Sequence, residues 1–421
     1  MLKIFMKIEL GVRGMLKFTL KPYDVLFFGS GKPFNRGDVV SSSFPPHPNT
    51  LASAIYSKLY HSNMIDERVV NNPNVIRAVY GPFIQKGEKI YFPKPHNIYG
   101  KRKQKDLEKV FIINIPKEKT SENETSEKKF KLFDPSNTNK PEGIESLPVY
   151  IGNEEVEPFN GFISTEGLRK YFNGGEIDAK SDILLYESNN EQKSIFKRES
   201  RIGISVDSSS NSVNSEDALF RVEFLRFLED VKLVFWVDFN LNGGIKNINE
   251  HQKLVEFFNE NPKSLKLGGE MKNVSYEVEE DDFNKIIDDL GLSKSITVEP
   301  SNILKVVFLT YGVFDEPIGM IKTDGSETQG FITLSASFNG YDFIGINLKR
   351  TKQRKIKRAL PPGSVIWLKS TIKETLNNPT FIFGKGGNYE FDFAEDKQEF
   401  IGTNQEFIGT NLVLLKEVGY V

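Results

Sequence analysis

The sequence predicts an α+β chain built from two ferredoxin-like (RRM-like, βαββαβ) domains with long loop insertions, and three observations lead there. The chain has 421 residues, more than one hydrophobic core usually organises, so two units of roughly 200 residues are the default. Near the N-terminus a strand, a glycine-bearing loop and a helix follow one another, the opening of a βαββαβ unit. Strands and a helix then begin again after residue 218. The division read from this is an N-terminal extension over 1–14, a first domain over 15–205 with a flexible insertion at about 117–145, and a second domain over 206–421.

Leu16, Phe18 and Leu20 alternate with polar neighbours, and Val25 to Phe28 resumes extended chain after a Lys21-Pro22-Tyr23-Asp24 turn. From Phe28 to Pro48 three Gly, four Pro and three consecutive Ser make a loop. Asn49 then offers a helix N-cap, and Leu51, Ile55 and Leu59 recur at helical spacing, which predicts a helix over about Thr50–Asn63. The stretch 117–145 mixes both charge signs with almost no apolar residues, the composition of a segment that cannot bury a core. A second polar stretch, Asp207–Asp217, is rich in Ser and Asn and reads as a hairpin tip or finger before a strand at Ala218–Phe227. Val231–Phe239 continues as a strand, and His251–Glu260 groups Leu254, Val255, Phe257 and Phe258 on one side of a helix. Leu265–Leu267 returns to extended chain. Further strands are expected at Ile303–Thr310 and Val365–Leu368, with a helix near Asp282–Leu290. Glu399–Asn404 and Glu406–Asn411 both read Glu-Phe-Ile-Gly-Thr-Asn, a tandem duplication of the kind a surface loop tolerates.

Composition closes off several functions. The chain carries 55 basic and 57 acidic residues for a net charge of −2, so nucleic-acid affinity must come from local patches. The absence of Cys excludes disulfides, zinc ribbons and thiol nucleophiles. The four His residues, His47, His61, His96 and His251, share no metal-ligand spacing. No metal or cofactor is expected. Lys3, Lys7, Glu9 and Arg13 interrupt any signal-peptide core, and no run approaches the length of a membrane span. The reading is a cytoplasmic protein without a membrane partner.

Two segments carry the chemistry. Gly29, Ser30, Gly31, Lys32 and Arg36, followed by Ser41, Ser42 and Ser43, combine glycines that admit close backbone approach with cations and hydroxyls suited to phosphate oxygens. It is not a P-loop, because Pro33 follows the lysine where a helix would start. A connecting loop and a phosphodiester cradle both fit this composition. The densest basic run is Lys349, Arg350, Lys352, Arg354, Lys355, Lys357 and Arg358, seven cations in ten residues, which would repel one another without a polyanion. A solvated charged surface is the alternative there. Lys197, Arg198 and Arg201 form a smaller group beside the Ser/Asn finger. Lys101-Arg102-Lys103 with Lys105 follows Tyr91, Phe92, His96 and Tyr99, a pattern of single-stranded RNA binders and equally of ordinary core aromatics. Gly384, Gly386, Gly387, Gly402 and Gly409 cluster near the C-terminus.

The order of several short motifs resembles the RAMP superfamily of CRISPR proteins, and within it the third-subunit family of the type III-B Cmr complex. The matching residues are Pro33-Phe34 with Gly37; Ser43-Phe44-Pro45-Pro46 with Pro48 and Thr50-Leu51; Arg201 with Gly203-Ile204; Leu267-Gly268-Gly269-Glu270; and Pro361-Pro362-Gly363-Ser364-Val365. They extend over most of the chain. The helix departs from the family pattern, reading Leu51-Ala52-Ser53-Ala54-Ile55 where a Gly-Ala-Leu-Arg sequence is frequent. The resemblance implies two side-by-side ferredoxin-like RAMP domains and a glycine-rich loop facing RNA. It also implies binding of the repeat-derived 5′ handle of the crRNA, docking to the large polymerase/cyclase-like subunit and to neighbouring RAMP subunits, and no catalysis. Two other classes compete: a RAMP endoribonuclease with His47 or His61 as general base, and a protein-only scaffold, which the near-neutral charge favours.

Overall fold

The computed structural model describes residues 15–29, 39–66, 75–103, 106–115, 150, 152–204, 219–241, 244–248, 250–260, 262–270, 272–313, 331–345, 356–371, 373–381 and 410–418. The N-terminal extension, the 117–145 insertion, the 207–217 finger, Gly384 to Gly387 and most of the duplicated segment lie outside them.

The first part of the chain holds β1 (Met15–Pro22), β2 (Val39–Ser41), α1 (Pro48–His61), β3 (Ile76–Lys86), β4 (Lys89–Pro93), β5 (Ile98–Lys103) and β6 (Asp106–Ile112). Next come β7 (Gly161–Ser164), α2 (Thr165–Asn173), β8 (Ile183–Leu185), β9 (Phe196–Ile204) and β10 (Leu219–Phe227). Then follow β11 (Val231–Phe239), α3 (His251–Asn259), β12 (Ser264–Lys266), β13 (Asn273–Glu280) and α4 (Asn284–Asp289). The remainder is β14 (Ser295–Val298), β15 (Ile303–Phe308), β16 (Gly312–Val313), β17 (Phe331–Ser337), β18 (Asp342–Gly345) and β19 (Ile356–Leu360). Last are β20 (Val365–Ser370), β21 (Glu374–Asn377), β22 (Thr380–Phe381) and β23 (Leu412–Val418). The chain is thus α+β and rich in strands.

An eight-stranded sheet runs β12-β13-β1-β11-β3-β4-β7-β8. Its centre is β13-β1-β11-β3, every neighbour antiparallel, with α1 between β1 and β3 and α3 between β11 and β13. A boundary at 205/206 therefore cuts through one sheet, which corrects the expected domain division. β11 and β13 belong with β1 and β3, and residues 87–230 are inserted between two strands that pair. The second large sheet runs β17-β20-β15-β23-β22, again antiparallel. Taken in chain order, β15, β17, β20 and β23 occupy the sheet positions that β1, β3, β11 and β13 occupy in the first.

Period-two burial explains how the sheets stack. On the helical face of the first sheet Phe18 stacks on Phe235 at 5.2 Å and meets Phe258 of α3 edge-on at 5.0 Å. On the opposite face Trp236 and Phe83 pack around Phe283, and that core continues into Val307, Trp367 and Leu414 of the second sheet. Fully burying each such side chain contributes about 1.5–3 kcal/mol. The outer face of the second sheet, with Val306, Phe308 and Ile366, is covered by Ile296, Val298 and Leu376 of the β14–β21 pair.

Helix α1 starts slightly before the expected position. Pro48, whose fixed φ suits a first helical turn, opens it, and the cap is His47, whose Nδ1 accepts from the Asn49 N–H at 3.1 Å, in place of the expected Asn49. No helix among the described residues is long and apolar enough to cross a membrane.

Candidate nucleic-acid interface

The glycine-bearing loop leaves from a fixed base. Ser42 is buried; its Oγ accepts from the Phe28 N–H at 2.8 Å, and the Ser43 N–H donates to the Phe28 carbonyl at 2.8 Å. Phe27 is held from below, since its carbonyl accepts from the Gly269 N–H at 2.8 Å. Gly268 has φ +77°, and a Cβ there would lie 2.3 Å from the same carbonyl, so the Leu267-Gly268-Gly269 motif is a close backbone docking. Ser42 thus holds the loop base rather than presenting a hydroxyl to solvent, a correction to its expected role.

The following Ser43-Phe44-Pro45-Pro46 segment is pinned from several sides. Phe44 sits among Phe162, Tyr186, Phe196 and Phe227, with ring centroids 5.1–5.8 Å away. The Tyr186 hydroxyl donates to the Phe44 carbonyl at 3.3 Å and the Tyr311 hydroxyl to the Pro45 carbonyl at 2.8 Å. Ser43 hydrogen-bonds Tyr311, and His47 stacks on its ring at 5.5 Å. Burial pushes both tyrosines above their ordinary range, and the nearby Asp342 carboxylate adds to this. Burial drives the His47 imidazole down to about 3, with Nε2 shielded from water although part of the side chain stays accessible.

A three-stranded sheet, β2-β10-β9, carries the next residues. Ser41 Oγ donates to Glu223 at 2.7 Å, and Arg198 approaches the same carboxylate at 3.6 Å and Glu187 at 3.5 Å. Arg201 lies on the other face of the β9–β10 hairpin, because three residues along a strand reverse the side chain's direction. There Arg201 and Arg226 both bind Asp24 and Glu199, and Arg201 covers the Phe224 ring at 5.2 Å. Hydrogen bonds from Arg226 and Arg201 hold the Glu199 carboxyl below its ordinary value.

A second hairpin comes near the same two tyrosines. β16-β19-β18 form a small sheet in which Phe343 is opposite Arg358, and β18 begins at Asp342, the carboxylate felt by Tyr186 and Tyr311. Arg358 is exposed on β19. The structure therefore gathers Gly29, Ser41, Ser42, Ser43 and Arg198 around the loop base, with the foot of the β18–β19 hairpin beside it. It places Arg201 apart. Ser30, Gly31, Lys32, Arg36, Arg350, Lys352, Arg354 and Lys355 lie outside the described residues.

Two members of the Lys101 cluster are compensated: Lys101 shares Glu154 with Lys109, at 2.6 and 2.9 Å, and Arg102 approaches Glu157. Tyr91 and Phe92 are core residues, the blander of their two readings. Pro361-Pro362-Gly363 forms the joint between the sheets. Gly363 has φ +93°, its carbonyl accepts from the His96 N–H at 2.7 Å, and a Cβ would fall 2.2 Å from the Lys94 carbonyl. Tyr186, Tyr311 and Glu223, which organise the site, stand in no motif and had no local signal.

The Cas_Cmr3 family model, described as a CRISPR-associated protein, matches residues 18–411. Two cryo-EM structures of the type III-B Cmr-beta complex, one bound to cognate target RNA and one to cognate target RNA and AMPPnP, each contain a similar chain at 16% identity and TM-score 0.44. The match covers 83% of this chain and 86% of each of those. A chain in the crystal structure of the Csm3–Csm4 subcomplex of a type III-A complex is similar at 16% identity and TM-score 0.34, over 86% of this chain and 99% of that one. No curated protein matches.

Proposed function

The chain belongs to the Cas_Cmr3 family of CRISPR-associated proteins, and from that premise we propose that it is a non-catalytic subunit of a type III-B RNA-guided effector complex. In this reading it binds the repeat-derived 5′ handle of the crRNA and docks the large polymerase/cyclase-like subunit and adjacent RAMP subunits. Its two sheets, each with the same antiparallel strand order, are read as a pair of ferredoxin-like RAMP domains.

The observation that carries the reading is the shared, rigid footing of segments whose sequences suit phosphates. The chain enters and leaves 30–38 at residues fixed by Ser42, Ser43 and Gly269. Residues 346–355 join β18 to β19, a hairpin whose foot at Asp342 lies near Tyr186 and Tyr311. A preorganised base lowers the ordering cost of gripping a backbone. His47 supports the absence of catalysis: one ring nitrogen is engaged by the Asn49 N–H and the ring resists protonation until far below neutral pH, which suits a helix cap better than a general base.

The test is to incubate the purified chain, alone and with the large subunit, with 5′-labelled guide RNA bearing its repeat-derived handle or a scrambled one. Retention and cleavage are scored on one gel. Handle-preferring retention without cleavage is expected. Cleavage lost in His47→Ala would make the protein a processing enzyme, and no retention in either setting would make it a scaffold.

A further inference from the structure

A cleft of about 480 Å³ opens at the end of β1, where Tyr23 on its wall adjoins Asp24, the partner of Arg201. Its lining includes Lys21, Tyr23, Lys232, Lys263, Ser275 and Glu277. The volume is in the range of small-molecule sites, and the lining pairs three ammonium groups with a tyrosine ring that is 68% exposed. Among the described residues only Lys232 of these three is offset by a carboxylate, Glu277 at 3.3 Å. Lys263 donates to the neutral Asn259 amide at 2.9 Å, and Lys21 has no ion-pair partner among the described residues. The local charge is positive in a chain whose net charge is −2.

The walls are fixed before any ligand arrives. Ser275 Oγ donates to the Lys21 carbonyl at 3.1 Å, locking β13 to the end of β1. Lys58 reaches from α1 to the Pro262 carbonyl at 2.9 Å while lying 5.3 Å from the Tyr276 ring centroid. Tyr276 is in turn tied to the Phe258 carbonyl at 2.8 Å. Tyr23 alone among the lining aromatics is left standing in solvent beside the cations. Cations next to an unpacked aromatic ring are what a single strand uses, phosphate on ammonium and base on ring.

We propose that this cleft is a second binding site for single-stranded RNA, in which Lys21 and Lys263 hold a phosphate and Tyr23 stacks the adjoining base. It goes beyond the handle reading and requires neither the 29–38 loop nor the 349–358 run. An acidic protein segment would satisfy the lysines but leave the tyrosine ring unused.

The test uses the full chain with a short oligouridylate carrying 5-iodouridine, irradiated and mapped by mass spectrometry, beside an affinity titration. Tyr23 is expected to be a crosslinked residue. The charge reversal Lys21→Glu with Lys263→Glu should abolish that crosslink and weaken affinity by about tenfold. Tyr23→Phe should keep the affinity that Tyr23→Ala loses, which separates stacking from misfolding. The crosslink should survive neutralisation of Arg350, Lys352, Arg354 and Lys355, so failure here and failure of the handle reading are distinguishable. Crosslinks confined to other residues would overturn the proposal. So would displacement of the oligomer by equimolar UMP, which would mark a mononucleotide site, or protection of Tyr23 by an oligoglutamate and not by unlabelled RNA.

Discussion

The strands β13-β1-β11-β3 and β23-β15-β20-β17 stand in the same order, yet the two sheets cover themselves differently. In the first, the connections that cross the sheet are α1 and α3, and these helices bury Phe18, Phe235 and Phe258 on one face. In the second, the equivalent connections hold no helix among the described residues, and the outer face is closed by the β14–β21 pair. The remaining two faces meet each other. A sheet needs its apolar faces covered but does not dictate by what, so one strand order persists while its helices are replaced.

If the facing cores are one, mutations on either side should act alike. Trp236→Ala in the first sheet and Trp367→Ala in the second are each expected to cost about 3–5 kcal/mol and to unfold the chain in a single transition in urea. Both side chains belong to the same buried cluster. Two separate transitions for Trp367→Ala would break the comparison and make the second sheet an independent unit.

A smaller effect tests the joint itself. Gly363→Ala places a Cβ 2.2 Å from the Lys94 carbonyl at φ +93°, and a thermal melt should show a loss of about 1–3 kcal/mol. Gly340 is also at positive φ, but a Cβ there would meet nothing within 4 Å. It is the control, and Gly340→Ala should cost about 1 kcal/mol. Equal losses would mean that the close approach is relieved by movement between the sheets.

Two buried lysines at this joint sharpen it by pH. Lys94 donates to the Pro95 and Ile98 carbonyls at 3.0 and 2.7 Å, and Lys305 lies between the Tyr171 and Trp367 rings and reaches Asn114. Burial pushes them down to about 7 and about 8. A lysine whose folded value lies below its unfolded one binds fewer protons in the native state, so stability rises with pH above the folded value and the penalty is complete below it. The chain should gain about 1–2 kcal/mol between about pH 7 and 8. Lys305→Met with Lys94→Met should flatten that slope in urea titrations, and an unchanged slope would place its origin elsewhere.

The Leu16, Phe18, Leu20 alternation and the Leu51, Ile55, Leu59 spacing gave β1 and α1 correctly because each is a local period. The domain boundary was not legible, since β3 and β11 pair across residues 87–230 and nothing nearby announces the partner. Because α3 follows the long insertion, it reads as the start of something new, although it closes the first sheet. At the site, the Ser run was visible but its use was not: the acceptor role of Ser42 depends on Phe28, fourteen residues back. Tyr186 and Tyr311 act through contacts formed only on folding. The separation of Arg198 from Arg201, by contrast, was available in advance, given a strand and an odd spacing.

That separation yields the smallest effect in stability and the most direct one in function. Arg198 and Arg201 are both partly exposed and ion-paired, so replacing either with Ala should change stability by about 0–1 kcal/mol. Their surroundings differ. Arg198 shares Glu223 with Ser41 and influences Tyr186 at the loop base, whereas Arg201 is held with Arg226 by Asp24 and Glu199. A guide strand lying over the loop base can draw Arg198 away from its carboxylates, while Arg201 would have to leave two partners on the far face. Arg198→Ala should therefore weaken handle binding and reduce the magnitude of its salt slope by about 1, with Arg201→Ala close to the parent. Measured slopes that reverse this order would move the RNA path to the Asp24 face of the hairpin.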